Sequence, residues 1–257
     1  MKKLTLLAAA QISFSDLSKG EVYAAIACGA LFVNGERVRD PRAKVSPDAE
    51  ITRESQKFVS RGGLKLELAL QHWGLDVEGK VMVDAGSSTG GFTDCLLQRG
   101  ARLVYAVDVG TNQLAYRLRT DSRVDVRERT SIMDIESLEP QPDAAVADLS
   151  FRSVISAASH LLGLTREEWA VLLVKPQFEL KGEAASFDGV VRDSALLSRI
   201  LERTFVGLWE EHAFPNAVIP SPILGRSGNR EFLVLVSRTQ SVELDVLRET
   251  VAALVEP

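Results

Sequence analysis

The sequence predicts an α/β fold: a mostly parallel sheet with helices on both faces, preceded by a small α+β module. Three observations carry this expectation. From Val59 onward, short apolar runs rich in β-formers alternate with helix-like stretches, the pattern of a parallel sheet buried on both sides. The first of these runs ends in a glycine-rich turn that leads straight into a helix, Asp84-Ala85-Gly86-Ser87-Ser88-Thr89-Gly90-Gly91-Phe92. Residues 1–54 carry 8 Lys/Arg against 7 Asp/Glu, a balance of +1, whereas the remainder carries 22 against 28, a balance of −6.

The module comes first. Met1-Lys2-Lys3 and the apolar run Leu4 to Ala10 imitate a secretory signal. That run is at the short end of the roughly 7–15 apolar residues such a signal needs, so a first helix is the preferred reading. Ser18-Lys19-Gly20-Glu21 is an S-x-x-E capping box, and Val22, Ala25 and Ile26 follow at helical spacing. Gly29 can close this helix in the left-handed region. Asn34-Gly35 between Leu31-Phe32-Val33 and Glu36-Arg37-Val38 signals a hairpin. Pro41, Pro47 and Asp48 mark turns before a last short strand near Ile51. Arg37, Arg39, Arg42 and Lys44 cluster around the hairpin and the loop after it, which reads either as a solvated face or as a contact for a polyanion.

The sheet follows. Strand-like runs are Val81-Met82-Val83, Leu103 to Val109, Val124-Asp125-Val126, Ala144 to Ala147, Ala170 to Val174 and Phe232 to Val236; helices lie at Phe92 to Arg99, Val154 to Leu162 and Ala195 to Trp209. Ligands of such sheets bind beyond the carboxyl ends of the strands. The turn at Gly86 is not G-x-G-x-x-G, so a dinucleotide fingerprint is not met. The next run ends in Asp108, 24 residues after Asp84, where a carboxylate suits two ribose hydroxyls. Together the two acids read as a nucleoside-containing cofactor site, or as a tight turn beside a surface acid. The fourth run ends Asp148-Leu149-Ser150-Phe151 and the fifth Lys175-Pro176-Gln177-Phe178-Glu179. A lysine ending an apolar run is costly to bury unless paired, and Asp148 on the adjacent strand is its natural partner. Glu231 starts the last strand. Upstream, Ser60-Arg61-Gly62-Gly63-Leu64-Lys65-Leu66 enters a helix with the apolar face Leu66, Ala69, Leu70 and Trp73. Lys65 falls in its first turn, where the helix dipole disfavours a cation and a lysine is ordinarily solvated.

These motifs, with Ala106-Val107-Asp108-Val109-Gly110 and Ser227-Gly228-Asn229-Arg230-Glu231, resemble in order those of the TlyA / hemolysin-A group of ribosomal RNA 2′-O-methyltransferases. That group is related to the FtsJ (RrmJ) ribose methyltransferases. The likeness covers nearly the whole chain. It implies an S-four RNA-binding module at 1–55, a linker at 56–63, a Rossmann-like S-adenosylmethionine-dependent methyltransferase domain at 64–240 with its last strand antiparallel, and a C-terminal helical tail at 241–257. S-adenosylmethionine would meet Asp84, Gly86, Ser88, Gly90, Gly91, Phe92, Asp108 and Val109, with adenine near Thr130, Ser131 and Ile132. The family's catalytic tetrad falls on Lys65, Asp148, Lys175 and Glu231. RNA contacts would come from Arg37, Arg39, Arg42, Lys44, Lys57 and Arg61. The implied partner is ribosomal RNA or a ribosomal subunit, methylated on a cytidine ribose in the cytoplasm by a monomer or weak dimer. Three features depart from the family pattern: the start Lys2-Lys3-Leu4-Thr5, which implies a shortened module; Ser131 where asparagine is common; and a glycine-poor loop at 182–189.

In such a reaction Lys175 is the candidate base, and it has to be neutral to accept a hydroxyl proton. A second cation at Lys65 and desolvation favour the neutral amine, while Asp148 and Glu231 oppose it. Other function classes fare worse. Composition (257 residues, 46% hydrophobic, 25% charged, net charge −5) excludes a disordered chain, a fibre and a disulfide scaffold. Cys28 and Cys95 are far apart and His72, His160 and His212 are scattered, so no metal is expected. A pore-forming cytolysin would need a membrane helix or repeated amphipathic strands, which the sequence does not offer. A non-catalytic RNA-binding scaffold has no use for the tetrad. A methylase of base amines typically carries Asn/Asp-Pro-Pro-aromatic where Asp148-Leu149-Ser150-Phe151 stands.

Overall fold

The computed structural model describes residues 3–27, 29–53, 57–150, 152–180, 189–225 and 227–255. Cys28, Phe151 and residues 182–188 of the loop singled out above lie outside them. The chain divides into two compact units, Met1–Gln56 and Lys57–Pro257.

The first unit runs β1 (Leu4–Thr5), α1 (Leu6–Ser13), α2 (Lys19–Ala27), β2 (Leu31–Val33), β3 (Glu36–Arg37), β4 (Lys44–Val45) and β5 (Ile51–Arg53). The apolar start packs in this unit's own core: Thr5 Oγ1 caps α1 by accepting from Ala8 N, and Leu6, Ala9 and Ala10 are buried with Val22, Ile26 and Leu31. The capping box closes both ways, with Ser18 N donating to Glu21 Oε2 (2.8 Å) and Glu21 N to Ser18 Oγ (3.3 Å). Asn34 and Gly35 take φ of 51° and 82°, both left-handed, the geometry a two-residue hairpin needs to follow strand twist. β2 pairs antiparallel with β3 and with β5.

The second unit begins with α3 (Gly62–His72) and continues β6 (Val81–Ala85), α4 (Gly91–Gln98), β7 (Leu103–Asp108), α5 (Tyr116–Arg119) and β8 (Val124–Glu128). After a 3-10 turn (Ile132–Asp134) come β9 (Ala144–Ala147), α6 (Ile155–Leu164), β10 (Trp169–Val174) and α7 (Pro176–Glu179). It closes with α8 (Ser194–Glu210), β11 (Phe214–Pro220), β12 (Phe232–Ser237) and α9 (Leu244–Val255). The sheet order is β11-β12-β10-β9-β6-β7-β8. β12 alone runs against its neighbours, as the antiparallel last strand was expected to. β6 and β9 are central, and their carboxyl ends form the crevice at which the strand order reverses.

Both faces of the sheet are covered. Val81, Val83, Ala85, Leu172, Val174 and Val234 meet the apolar sides of α6, α8 and α9. Met82, Val104, Val146, Val171 and Leu233 meet α3, α4 and Phe58. This double burial is why the strands read as continuous apolar runs rather than alternating ones. The segment read as a C-terminal tail buries Leu247, Val251 and Val255 in the first of these clusters.

One strand of the seven-stranded sheet was not legible. β11, Phe214-Pro215-Asn216-Ala217-Val218-Ile219-Pro220, holds two prolines and lies at the sheet edge with a register shift between Pro215 and Ala217. Proline is tolerated at edges and bulges because no ladder donor is required there.

Two helical glycines should respond oppositely to alanine. A Cβ on Gly63 would lie 2.3 Å from the Phe58 ring, whereas one on Gly163 meets only Arg238 Nη2 at 3.9 Å. Gly63→Ala should destabilise the second unit by about 1–3 kcal/mol through overpacking, and Gly163→Ala should stabilise it by up to about 1 kcal/mol. Urea unfolding curves check both; equal effects of the two variants would contradict the packing described.

Candidate active site

The crevice is lined first by the turn after β6. Gly86, Ser88 and Gly90 all take positive φ (83°, 49° and 93°). Gly86 N and Ser87 N donate to Val107 O (2.8 and 3.1 Å), and Gly90 N donates to Ser87 O (2.7 Å), so the turn is pinned against β7. A Cβ at Gly86 would strike the Asp148 carbonyl at 2.6 Å, and one at Gly90 would strike Leu118 at 2.3 Å. Only glycine satisfies both the backbone angle and the space there. Asp108 ends β7 and accepts from Ser88 N (2.8 Å) through one oxygen and from Gly110 N (2.6 Å) through the other. A carboxylate has about four lone-pair sites, so these bonds orient Asp108 and leave acceptor capacity for two hydroxyls. Val109, just beyond, is 75% exposed.

Asp84 is fully buried at the end of β6. Its Oδ2 accepts from Thr93 Oγ1 (2.6 Å), and its Oδ1 has no partner. Burial, with smaller contributions from Asp148 and Asp108 and against the Thr93 bond, pushes its carboxyl up to about 7. A buried acceptor without a donor, beside a turn in which Gly86 and Gly90 leave no room for a Cβ, fits a cationic and polar ligand with ribose hydroxyls. The other residues expected here contribute differently. Phe92 is buried in the core beside α3, and the Gly91 backbone packs against Ser60 and Gly62, so both build the wall of the site. Ser131 caps the 3-10 turn by accepting from Met133 N (3.2 Å), and Ile132 is buried with its carbonyl bonded to His160 Nε2 (2.9 Å).

The four tetrad residues converge as two ion pairs. Lys65 Nζ lies 2.5 Å from Glu231 Oε2, and Lys175 Nζ lies 2.6 Å from Asp148 Oδ1. Lys175 Nζ also donates to Ser150 Oγ (3.0 Å) and sits 5.7 Å from the Phe178 ring centroid. The pairs are neighbours through the sheet: Val174 is opposite Phe232 in the β10–β12 register, so Lys175 and Glu231 are the next residues along. Lys65 is 8% exposed, which overturns the reading of a solvated first-turn lysine. The reason is tertiary. Glu231 reaches it from 166 residues away, and Gly225, where a Cβ would lie 2.4 Å from Glu231 Oε1, makes room for the carboxylate.

Other polar residues deliver these groups, and sequence reasoning missed them. Asp94 of α4 accepts from Val59 N (2.7 Å) and Arg117 Nη2 (2.5 Å), and Gln98 donates to Lys57 O (2.8 Å). Together they pin the entry to α3 onto α4. Asn229 accepts from Val191 N and donates to Gly189 O (2.8 and 2.7 Å), while Arg230 binds the last carbonyls of α9. The only advance signal for Asp94 was an acid in the first turn of an otherwise apolar helix. Cys95 beside it is buried, its thiol pushed up to about 12 by burial, which removes it as a nucleophile.

Of the basic residues, Arg37, Arg39, Arg42 and Lys44 are exposed on the first unit, with Arg37 stacked over Phe32 and Arg42 3.9 Å from Asp40. Lys57 and Arg61 belong to the second unit, and Lys57 is paired with Glu67. Among the described residues no group of His, Cys, Asp and Glu could hold a metal ion. No helix there is long and apolar enough to cross a membrane.

Asp84 makes folding stability pH-dependent with a definite sign. Its carboxyl is raised in the folded protein, so its contribution is full below about pH 4 and is lost as pH rises through about 7. Asp84→Asn should therefore gain stability relative to wild type as pH goes from about 4 to 8. Urea midpoints across that range test this, and a pH-independent difference would refute it.

Comparison with known proteins places these features in a family. The sequence profile of the FtsJ-like methyltransferases matches residues 58–238. Hemolysin A of Brachyspira hyodysenteriae is 40% identical over 222 residues, covering 84% of this chain and 92% of that protein. The Mycobacterium tuberculosis protein named 16S/23S rRNA (cytidine-2′-O)-methyltransferase TlyA is 39% identical over 222 residues, covering 84% and 82%. A solved structure bearing a hemolysin name, from Streptococcus thermophilus, superposes with a TM-score of 0.76 at 36% identity over 99% of this chain and 95% of that one. A profile matching most of the chain, on a sheet whose carboxyl edge fits a nucleoside cofactor, makes this protein a member of the FtsJ-like family of S-adenosylmethionine-dependent methyltransferases.

Proposed function

We propose that this protein transfers the methyl group of S-adenosylmethionine to a ribose 2′-hydroxyl of ribosomal RNA, on a cytidine, using Lys65, Asp148, Lys175 and Glu231. The observation that carries this reading is the pair of Lys–carboxylate contacts, Lys65–Glu231 buried and Lys175–Asp148 partly buried, beside the glycine turn. The Mycobacterium tuberculosis relative, named for cytidine-2′-O chemistry on 16S and 23S rRNA, supports the substrate class.

When bound, S-adenosylmethionine supplies an electrophilic methyl on sulfur. Asp108 would hold its ribose hydroxyls, and the Gly86–Gly90 turn would let it approach the backbone. Gly86 packs on the Asp148 carbonyl, which sets the tetrad directly beside that turn. A ribose hydroxyl is a weak nucleophile, so the protein has to hold it in line, about 3–3.5 Å from the methyl carbon, and take its proton. Lys175 Nζ donates to Ser150 Oγ and lies 2.6 Å from Asp148 Oδ1 as its ion-pair partner, and these two contacts would aim it. A remaining direction on the nitrogen would meet the hydroxyl. The hydroxyl proton would pass to the Lys175 amine and from there to water as the oxygen takes up the methyl group. Lys65, held by Glu231, supplies the nearby positive charge that opposes a second ammonium and helps to orient the hydroxyl.

Two results are expected. Lys175→Ala should lower methyl transfer to ribosomal RNA or ribosomal subunits at least about 100-fold while S-adenosylmethionine still binds. Label from radioactive cofactor should appear in wild type as a 2′-O-methyl nucleoside. Transfer that persists in the variant, or label on a base, would reject the assignment. RNA affinity should fall with salt, and Arg39→Ala with Arg42→Ala should each reduce the log–log salt slope by about 1. A slope unchanged by both would remove the module's basic cluster from the RNA contact.

A further inference from the structure

Glu179 is a carboxylate that the reaction as described does not use, yet it is 3% exposed. It closes α7, the four-residue helix that starts directly after Lys175. Its Oε2 accepts from Ser153 Oγ (2.5 Å) and its Oε1 from Val154 N (2.9 Å). Val154 is the residue before α6 and caps it with no side-chain bond of its own. Glu179 therefore satisfies an orphan donor at the start of α6 from a different segment, where a negative charge also suits the helix dipole. Ser153 Oγ in turn accepts from Ile155 N (3.2 Å). On the other side, Arg203 Nη2 of α8 donates to the Glu179 carbonyl (2.6 Å), and Phe178 N donates to Lys175 O (2.9 Å), which holds α7 as one rigid turn.

These contacts close a ring. From Lys175 the chain runs one turn to Glu179, which accepts from Ser153; Ser153 follows Ser150 by three residues in the sequence after β9, and Ser150 and Asp148 meet Lys175 Nζ. The ring has two polar crossings, one of which is the candidate base and its carboxylate. The Glu179 crossing ties the segments after β9 and β10 together a second time, beyond their strand ends. Lys175 Nζ sits at the end of a flexible four-carbon stem, so its position depends on whether Asp148 and Ser150 are held in place.

We propose that Glu179 is a positioning residue for methyl transfer, bracing the Asp148–Ser150 segment through Ser153 and Val154 so that Lys175 faces the hydroxyl. This rests on the reading of Lys175 as the reacting base. The Glu179 bonds named above go to Ser153, Val154 and Arg203, none of which belongs to the glycine turn, and cofactor affinity is expected to be independent of it.

The test uses the full chain with Glu179→Ala, Glu179→Gln and Ser153→Ala. Ser153→Ala keeps the Val154 bond and guards against loss of folding in the Glu179 variants. S-adenosylmethionine dissociation constants should match wild type, while kcat on ribosomal RNA falls about 10- to 100-fold in Glu179→Ala, less in Glu179→Gln and Ser153→Ala. In a Lys175→Ala background, Glu179→Ala should cost nothing further. Independently of activity, pulse labelling with an amine-reactive reagent and mass spectrometry should show Lys175 modified faster in Glu179→Ala and Ser153→Ala, with Lys65 unchanged. Unchanged kcat in all three variants, cofactor affinity falling in step with kcat, or unchanged Lys175 labelling would overturn the brace. A wild type that transfers no methyl group to RNA would instead overturn the proposed function, and the labelling rates would still decide the brace.

Discussion

The arrangement turns on two ammonium groups held out of bulk water at one edge of a sheet. Each lysine is tolerable there only because a carboxylate from another element meets it, Glu231 for Lys65 and Asp148 for Lys175. Removing one partner from a buried pair typically costs about 3–5 kcal/mol, whereas replacing both with apolar groups is often neutral or stabilising. The pairs are therefore a poor way to hold a fold together and a good way to keep reactive charge in a dry place. The surrounding structure can be understood as what brings four residues, from four places in the chain, within reach of one another.

Stability comes from elsewhere. The two apolar faces of the sheet, one under α6, α8 and α9 and the other under α3 and α4, provide the driving force. The carboxyl edge works against it: Asp84 is buried with an unpartnered oxygen, and Gly86, Ser88 and Gly90 hold left-handed backbone angles. Local conflict of this kind, within an otherwise consistent framework, is characteristic of places kept for function. Asp94 and Glu179 spend buried or partly buried polar contacts, and Gln98 an exposed one, on fixing loops to helices next to this edge.

Much of the fold was legible because its signals are local. The inner strands of the large sheet read as apolar runs, the capping box at Ser18 and the Asn34-Gly35 hairpin needed only their neighbours, and the glycine turn announced a close backbone approach. β11 was not legible, because its two prolines suit only an edge strand, and nothing local says that a segment will be one. Lys65, Asp148, Lys175 and Glu231 could be singled out by motif as the proposed tetrad, but the burial of Lys65 could not be, since its partner lies 166 residues away. Glu179 shows the same limit: its carboxylate caps a helix that starts 24 residues earlier in the chain. A polar residue in a short motif does not declare whether it faces substrate or a neighbouring backbone.

The most direct measurement replaces one whole ion pair with apolar residues of similar volume, Lys65→Met together with Glu231→Met, and follows urea unfolding, cofactor binding and methyl transfer in the same protein. If the pair exists for chemistry, the unfolding midpoint is held or raised, S-adenosylmethionine still binds, and transfer to RNA is lost. A lowered midpoint with transfer intact in the folded protein would mean that the pair supports the fold and that the reaction does not need it.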